Sequence, residues 1–130
     1  MKSKNILIVD DDKSILKLLG SLLEDSGYNV IKALNYEQVI SILKKEQIFV
    51  ILMDLQMPGI KGTALCKLIK ESDNLPWIAA ISGDFELFNS NEFKNSGFDD
   101  FFAKPIDLPV LLNTLEYAFS RLERLTTKLP

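Results

Sequence analysis

Four short apolar runs in this chain each end in a polar residue, and this pattern constrains the fold more than any other feature of the sequence. Three aspartates, Asp10–Asp12, follow the first run, and Asp54 follows the second. Ser82 and Lys104 follow the third and the fourth. The runs are continuous rather than alternating, which is typical of parallel strands buried on both faces of a sheet. If they are parallel strands, all of these polar groups meet at one edge of one sheet.

Segments of helical period separate these runs. Leucine and isoleucine recur at three- and four-residue steps, Gly27 lies where the first helix would end, and Asn35 lies where the second would be capped. The segment 85–97 is the poorest helix, because its asparagine and serine side chains compete for helical hydrogen bonds. The predicted strands are 6–9, 28–34, 49–53, 78–81 and 98–103, and a predicted helix follows each of them.

Five strands that alternate with five helices predict an α/β fold of the flavodoxin-like type, a three-layer doubly wound sandwich. The expected sheet is parallel, with strand order 2-1-3-4-5. In that order, Asp10 and Asp11 lie one strand from Asp54, roughly 4.8 Å away. Ser82 lies one strand away on the other side. Lys104 lies two strands from Asp54, and the long flexible lysine side chain with its compact cation spans that distance.

Composition excludes several functional classes. The 130 residues, 47% of them hydrophobic, fit one globular domain. A net charge of -3 without a basic stripe argues against nucleic acid as a ligand. No apolar run reaches the roughly 18 residues of a membrane span, and the run 6–9 cannot be a signal-peptide core because three aspartates follow it, so we expect no membrane association and a cytoplasmic location. The absence of histidine and the single Cys66 exclude His-ligated zinc, a Ser-His triad and a disulfide framework.

Together, the motifs resemble the response-regulator receiver domain of two-component signalling. Each motif is weak when taken alone, but their order along the chain makes the set specific. The resemblance covers Asn5 to about Leu122, so we expect a receiver domain over 1–125, a short tail over 126–130 and no output domain. The motifs are Val9-Asp10-Asp11-Asp12, Met53-Asp54-Leu55-Gln56-Met57-Pro58-Gly59, Ser82-Gly83 and Lys104-Pro105.

The resemblance implies a Mg²⁺ site. Asp11, Asp54 and the backbone carbonyl of Gln56 would bind the ion, and Asp10 would contact it through a water molecule. Carboxylates crowded to 4 Å repel one another by about 1 kcal/mol per pair in water and by about 4 kcal/mol at an effective dielectric of 20. A cation is therefore needed, and an incomplete set of oxygen ligands suits Mg²⁺, which keeps several waters and bridges to phosphate.

The resemblance also implies a phosphorelay reaction. Asp54 would accept a phosphoryl group from a phosphohistidine on a histidine kinase or a histidine phosphotransfer protein. Ser82 and Lys104 would contact the phosphoryl oxygens, and a cis peptide bond before Pro105 would aim the lysine inward. Such a transfer needs positioning and charge neutralisation more than covalent help. We therefore expect a signalling phosphoacceptor with at most self-directed phosphotransfer and autodephosphorylation, rather than an enzyme.

The output side of the resemblance is a switch. Ser82 and Phe101 occupy the positions of the family's switch residues, and partner binding would change through the fourth helix, fifth strand and fifth helix. A homodimer through this face is one candidate, and the downstream partner is unknown. Ser82 replaces the commoner threonine, which keeps the hydroxyl and loses a methyl group. Lys61 stands where many family members have an acidic residue.

Several residues near the motifs have a structural explanation. Asp12 is expected to cap the first helix. Asp99 and Asp100 are expected to be solvated turn residues, and Cys66 a small apolar residue within a helix.

Three other functions fit parts of the pattern. A haloacid-dehalogenase-like phosphatase uses a strand-end Asp-x-Asp, such as Asp10 and Asp12, but this chain lacks space for the usual cap. A flavin carrier shares the sheet, but three aspartates after the first strand would repel the flavin phosphate. A phosphorylation-independent adaptor on the same fold would show no Mg²⁺ quenching of Trp77 fluorescence.

Overall fold

Five parallel strands form one sheet in a computed structural model that describes residues 3–72 and 76–127. The sheet order is β2-β1-β3-β4-β5, which confirms the predicted doubly wound α/β fold. A 3₁₀ turn, Phe85–Asn89, lies between the fourth strand and the fourth helix. The strands and helices are β1 (Asn5–Val9), α1 (Lys13–Asp25), β2 (Asn29–Ala33), α2 (Tyr36–Lys45), β3 (Val50–Asp54), α3 (Gly62–Lys70), β4 (Trp77–Ser82), α4 (Asn91–Lys94), β5 (Asp100–Ala103) and α5 (Leu108–Thr127).

Helices cover both faces of the sheet. Every residue of β1 and β3 is buried, which explains why these strands are continuously apolar. Successive strand residues point to opposite faces, so Ile6 and Ile8 pack with α1 and α5, whereas Leu7 and Val9 pack with α2 and α3. A smaller apolar cluster joins Ala80 of β4 to phenylalanines of the 3₁₀ turn and α4. None of the helices in the described ranges is long and apolar enough to cross a bilayer.

The predicted helix ends are present. Asp12 caps α1, because its Oδ1 accepts the backbone N–H groups of Ser14 at 2.9 Å and Ile15 at 3.3 Å. Asn35 caps α2 by accepting the N–H of Gln38 at 2.8 Å. Gly27 follows α1 with a φ of 97°, a left-handed conformation that glycine adopts without strain. Asp12 is therefore engaged in capping and not in the polar cluster at the strand ends.

The prediction of one helix over 85–97 was wrong. Ser90 has an extended backbone and divides the segment into the 3₁₀ turn and the four-residue α4. Its hydroxyl donates to the carbonyl of Leu87 at 2.7 Å and accepts the N–H of Phe93 at 3.1 Å. The serine side chain thus competes with helical hydrogen bonding, as the composition indicated, but strongly enough to end one helix and begin another.

Asp99 lies in an exposed bend, as we predicted for a solvated turn residue, but it also has structural partners. Its Oδ2 accepts the N–H of Ile78 at 2.7 Å and forms an ion pair with Lys70 at 2.7 Å. Strand β5 begins at Asp100, later than predicted, and pairs this residue with Ala79, so the prediction that Asp100 is a turn residue was wrong. Helix α5 continues through Thr127, and the rest of the predicted tail, 128–130, lies outside the described residues.

Cys66 lies fully buried in α3, as the prediction of a small apolar residue requires. Burial raises the pKa of its thiol to about 12. At pH 8, about one thiol in ten thousand is then the reactive thiolate. We expect the folded protein to react with a maleimide or a disulfide reagent far more slowly than the same chain in urea, as measured by mass spectrometry over time.

The same shift gives a sign for the pH dependence of folding. As the pH rises from 9 towards 12, the unfolded chain loses the thiol proton first, so the free energy of unfolding falls across that window. In the reaction with a maleimide or a disulfide reagent, equal rates for the folded and unfolded chains would contradict the burial of Cys66.

Candidate functional site

The carboxyl ends of four strands bring the polar residues together. Asp10 directly follows β1, Asp54 ends β3, Ser82 ends β4, and Lys104 directly follows β5. Strand pairing places Val9 beside Met53, so the aspartates that follow these two residues lie at the same level. The parallel register thus converts four separate stretches of sequence into one cluster.

Three of the aspartates form the acidic part of this cluster. Asp10 is 5% exposed and Asp54 is 2% exposed, whereas Asp11 is on the surface. One carboxylate oxygen from each residue lies within 4.8 Å of the others. At that separation, each pair of full charges repels by about 3.5 kcal/mol at an effective dielectric of 20. A cation placed among these carboxylates would offset that repulsion.

Lys104 supplies part of that neutralisation. Its Nζ lies 3.2 Å from Oδ2 of Asp54 and 3.9 Å from Oδ2 of Asp10. The side chain therefore reaches back across the two-strand separation, and the Lys104–Pro105 peptide bond is cis. A single ammonium group is shared by the two buried carboxylates.

Backbone N–H groups fix the other oxygen of each buried carboxylate. Asp10 Oδ1 accepts the N–H of Asp12 at 2.9 Å, and Asp54 Oδ1 accepts the N–H of Gln56 at 2.8 Å. Burial raises the pKa of Asp10 above its ordinary value, the hydrogen bond from Asp12 lowers the pKa, and the neighbouring charge of Asp54 raises it again. Both carboxylates are thus oriented by the chain, with one oxygen towards Lys104.

The loops after β3 and β4 are joined at the edge of the cluster. Ser82 is fully buried, and its hydroxyl accepts the N–H of Asp84 at 3.0 Å. The side-chain carbonyl of Gln56 accepts the N–H of Gly83 at 3.0 Å. The loop that follows Asp54 is therefore connected directly to the residue after Ser82.

Tyr36 is a supporting residue that the sequence analysis missed. Its buried hydroxyl donates to the backbone carbonyl of Asp54 at 2.7 Å. Burial, followed by the nearby charge of Asp54, raises the pKa of Tyr36 to about 12, so the phenol remains a hydrogen-bond donor at neutral pH. A Cβ added at Gly62 would lie 3.0 Å from this hydroxyl and 2.7 Å from the Leu55 side chain, so a larger residue here would require these side chains to shift. Nothing local in the sequence signals this contact, which joins residues 18 positions apart.

Two residues of the sequence analysis lie away from the cluster. Phe101 is 50% exposed, and its ring lies 4.4 Å from that of Phe88 and 5.9 Å from that of Phe93. Trp77 begins β4, five residues before Ser82, which places it about 16 Å along the strand from the cluster. Mg²⁺ quenching of Trp77 fluorescence, whose absence would favour an adaptor, stays a prediction, and the indole lies on the residue at the opposite end of β4 from the cluster.

The donor set fits a magnesium ion. Hard oxygen ligands in an incomplete set leave room for the waters that Mg²⁺ retains. Asp10, Asp11 and Asp54 provide such oxygens, and Lys104 leaves them with a net negative charge. An acidic pocket of this kind at the strand ends of this sheet defines the receiver class.

Comparison with known proteins establishes the family. The response regulator receiver domain family matches residues 6–116, so the chain belongs to that family. A receiver domain protein of Methanospirillum hungatei is 28% identical, with a TM-score of 0.87 over 95% of this chain and 98% of its own. The chemotaxis response regulator CheY4 of Vibrio cholerae is 25% identical, with a TM-score of 0.81 over 90% of this chain and 99% of its own.

Curated relatives include both short and long proteins. The sensor kinase/phosphatase CqsS of Vibrio cholerae is 36% identical over 85% of this chain, which spans only 16% of that protein. The regulatory protein NisR of Lactococcus lactis is 36% identical over 92% of this chain, which spans 52% of it. The response regulator DivK of Brucella anthropi is 29% identical over 87% of this chain, which spans 94% of it. The chain is therefore a receiver domain of two-component signalling.

Replacing Tyr36 by phenylalanine removes the hydroxyl that binds the Asp54 carbonyl. We expect Tyr36→Phe to lower the free energy of unfolding by about 1 to 3 kcal/mol, because a buried acceptor loses its donor. Urea unfolding followed by circular dichroism measures this change. Tyr117→Phe is the matched control, since Tyr117 is exposed on α5 and should change stability by less than about 0.5 kcal/mol. Equal effects of the two variants would contradict the assignment.

Proposed function

We propose that Asp54 accepts a phosphoryl group from a phosphohistidine of a sensor kinase or a phosphotransfer protein. The observation that carries this proposal is the Lys104 ammonium, 3.2 Å from a buried carboxylate at the centre of an acidic cluster in a receiver domain. An aspartate closing a central strand is costly to bury without such partners. A chemical role for that carboxylate accounts for the cost.

The transfer is a substitution at phosphorus. A carboxylate oxygen of Asp54 forms the new P–O bond while the P–N bond to the donor imidazole breaks, and the nitrogen leaves as neutral imidazole after protonation. Lys104 offsets negative charge on the transferred oxygens, and Ser82 donates its hydroxyl to one of them. Asp11, Asp54 and the Gln56 carbonyl would hold Mg²⁺, with Asp10 acting through water. When bound, that ion neutralises charge shared between the carboxylates and the phosphoryl group.

The chain acts in this scheme as a phosphoacceptor and not as an enzyme with a separate substrate. Its own side chain is modified, and its chemistry is limited to taking up the phosphoryl group and losing it to water. CqsS is named a sensor kinase/phosphatase and DivK a response regulator. Both names fit a histidine kinase or a histidine phosphotransfer protein as the donor to this chain.

Asp54→Ala should abolish labelling by radioactive acetyl phosphate in the presence of Mg²⁺. The wild-type label should be an acyl phosphate, which hydroxylamine removes, because the new bond is a mixed anhydride. Asp25→Asn is the matched control, since Asp25 is an exposed aspartate at the far end of α1 and should label as the wild type does. Undiminished, acid-stable labelling of Asp54→Ala would refute the assignment.

We further propose that the signal leaves through the output face, defined as the exposed surface of α4, β5 and α5. Three large apolar side chains are about half exposed there, namely Phe101, Val110 and Tyr117. Phosphorylation would draw Ser82 towards the phosphoryl group and let Phe101 turn inward, which would change this surface. A second copy of the chain is the first candidate to bind it.

Beryllofluoride with Mg²⁺, which mimics the phosphoryl group, should shift the wild-type protein to an earlier gel-filtration volume. Phe101→Ser should abolish the shift, because it removes an apolar anchor from the output face. Leu68→Ser should leave the shift intact, since Leu68 is equally exposed but lies on α3. A wild-type elution volume that beryllofluoride leaves unchanged would exclude the dimer.

A further inference from the structure

Lys61, directly before α3, has a partner on α4. Its Nζ lies 3.5 Å from Oε1 of Glu92. The hydroxyl of Thr63, in the first turn of α3, donates to the same oxygen at 2.9 Å. One carboxylate of α4 is thus bound by two residues at the start of α3.

This contact compensates for a deficit at the start of α3. Lys61 occupies the N-cap position without a side-chain capping bond, and the first turn contains no acidic residue. Helix N-termini favour negative charge, and Glu92 supplies it from another helix. Thr63 is buried although the Glu92 carboxylate is about half exposed, so their hydrogen bond is partly buried, whereas the Lys61 ion pair is largely exposed and contributes little.

The segment that carries Glu92 is attached to the acidic cluster at its other end. The Ser82 hydroxyl accepts the N–H of Asp84, and Asp84 Oδ1 accepts the N–H of Glu86 at 3.1 Å to begin the 3₁₀ turn. Chain 82–92 is therefore held by the site serine at one end and by α3 at the other. Phe88 within this segment packs edge to face at 5.1 Å against Phe93, the residue that follows Glu92.

We infer that Lys61, Thr63 and Glu92 form a latch that holds α4 against α3 and opens when Asp54 is phosphorylated. The inference rests on the proposed function, because the phosphoryl group would draw the Ser82 hydroxyl away from Asp84 and displace the segment. If the latch stabilises the unphosphorylated state alone, its removal must favour the phosphorylated state by the same free energy.

The affinity for beryllofluoride in the presence of Mg²⁺, measured by titration calorimetry, tests the latch. Thr63→Val removes the hydroxyl at constant shape, and Glu92→Ala removes the carboxylate. Each should raise the affinity about threefold to tenfold, the range that one hydrogen bond supplies. The double variant should gain no more than either single variant, because both remove one shared interaction.

Hydrogen exchange reports whether the latch holds α4 before any ligand binds. Amide exchange over 91–94 should accelerate in Thr63→Val and stay at the wild-type rate in Thr63→Ser, which keeps the hydroxyl. Glu86→Ala is the matched control on the same segment, since Glu86 is an exposed glutamate of the 3₁₀ turn and should alter neither measurement.

The outcomes separate the latch from the phosphorylation chemistry. If the wild type binds beryllofluoride and Thr63→Val binds it with the same affinity, the latch is overturned and the proposed function stands. Additive gains in the double variant, or unchanged exchange over 91–94, would also overturn the latch. Failure of the wild type to bind beryllofluoride would overturn the proposed function, and the opening step with it.

Discussion

Two buried carboxylates that share one ammonium group are the interaction on which the rest of the structure depends. Asp10 and Asp54 are buried side by side, and the Lys104 ammonium group offsets both their mutual repulsion and part of the cost of burying them. The fold supplies this arrangement through parallel register, which brings the carboxyl ends of distant strands to one edge. A single misplaced strand would leave either a buried charge without its partner or an ammonium group facing water.

The sequence was sufficient for the parts of this arrangement that depend on strand ends. The order of apolar runs predicted the sheet, and the polar residue after each run placed Asp10, Asp54 and Lys104 at its edge. The contact of Tyr36 with the Asp54 carbonyl was not predictable in this way, since no periodicity links a helix start to a strand end. The ion pair of Asp99 with Lys70 was missed because these two residues are 29 positions apart and no pattern in the sequence links them.

The segment after β4 shows where local reasoning fails in a different manner. Its asparagine and serine residues correctly indicated a weak helix, but the break at Ser90 depends on hydrogen bonds that its hydroxyl makes in both directions. Packing of Phe88 and Phe93 beneath β5 then fixes the two short pieces. The segment has its structure because tertiary contacts at Ser82, Phe88 and Glu92 hold it, and not because its own helical propensity is high.

The position of Trp77 at the start of β4 has a practical value. The chain contains one tryptophan, and its side chain packs against the core at the edge of the sheet far from the acidic cluster. We therefore expect its emission to follow the loss of the core when the domain unfolds. Denaturation curves recorded through this intrinsic fluorophore would then report the folding of the domain separately from the chemistry at the far end of the strand.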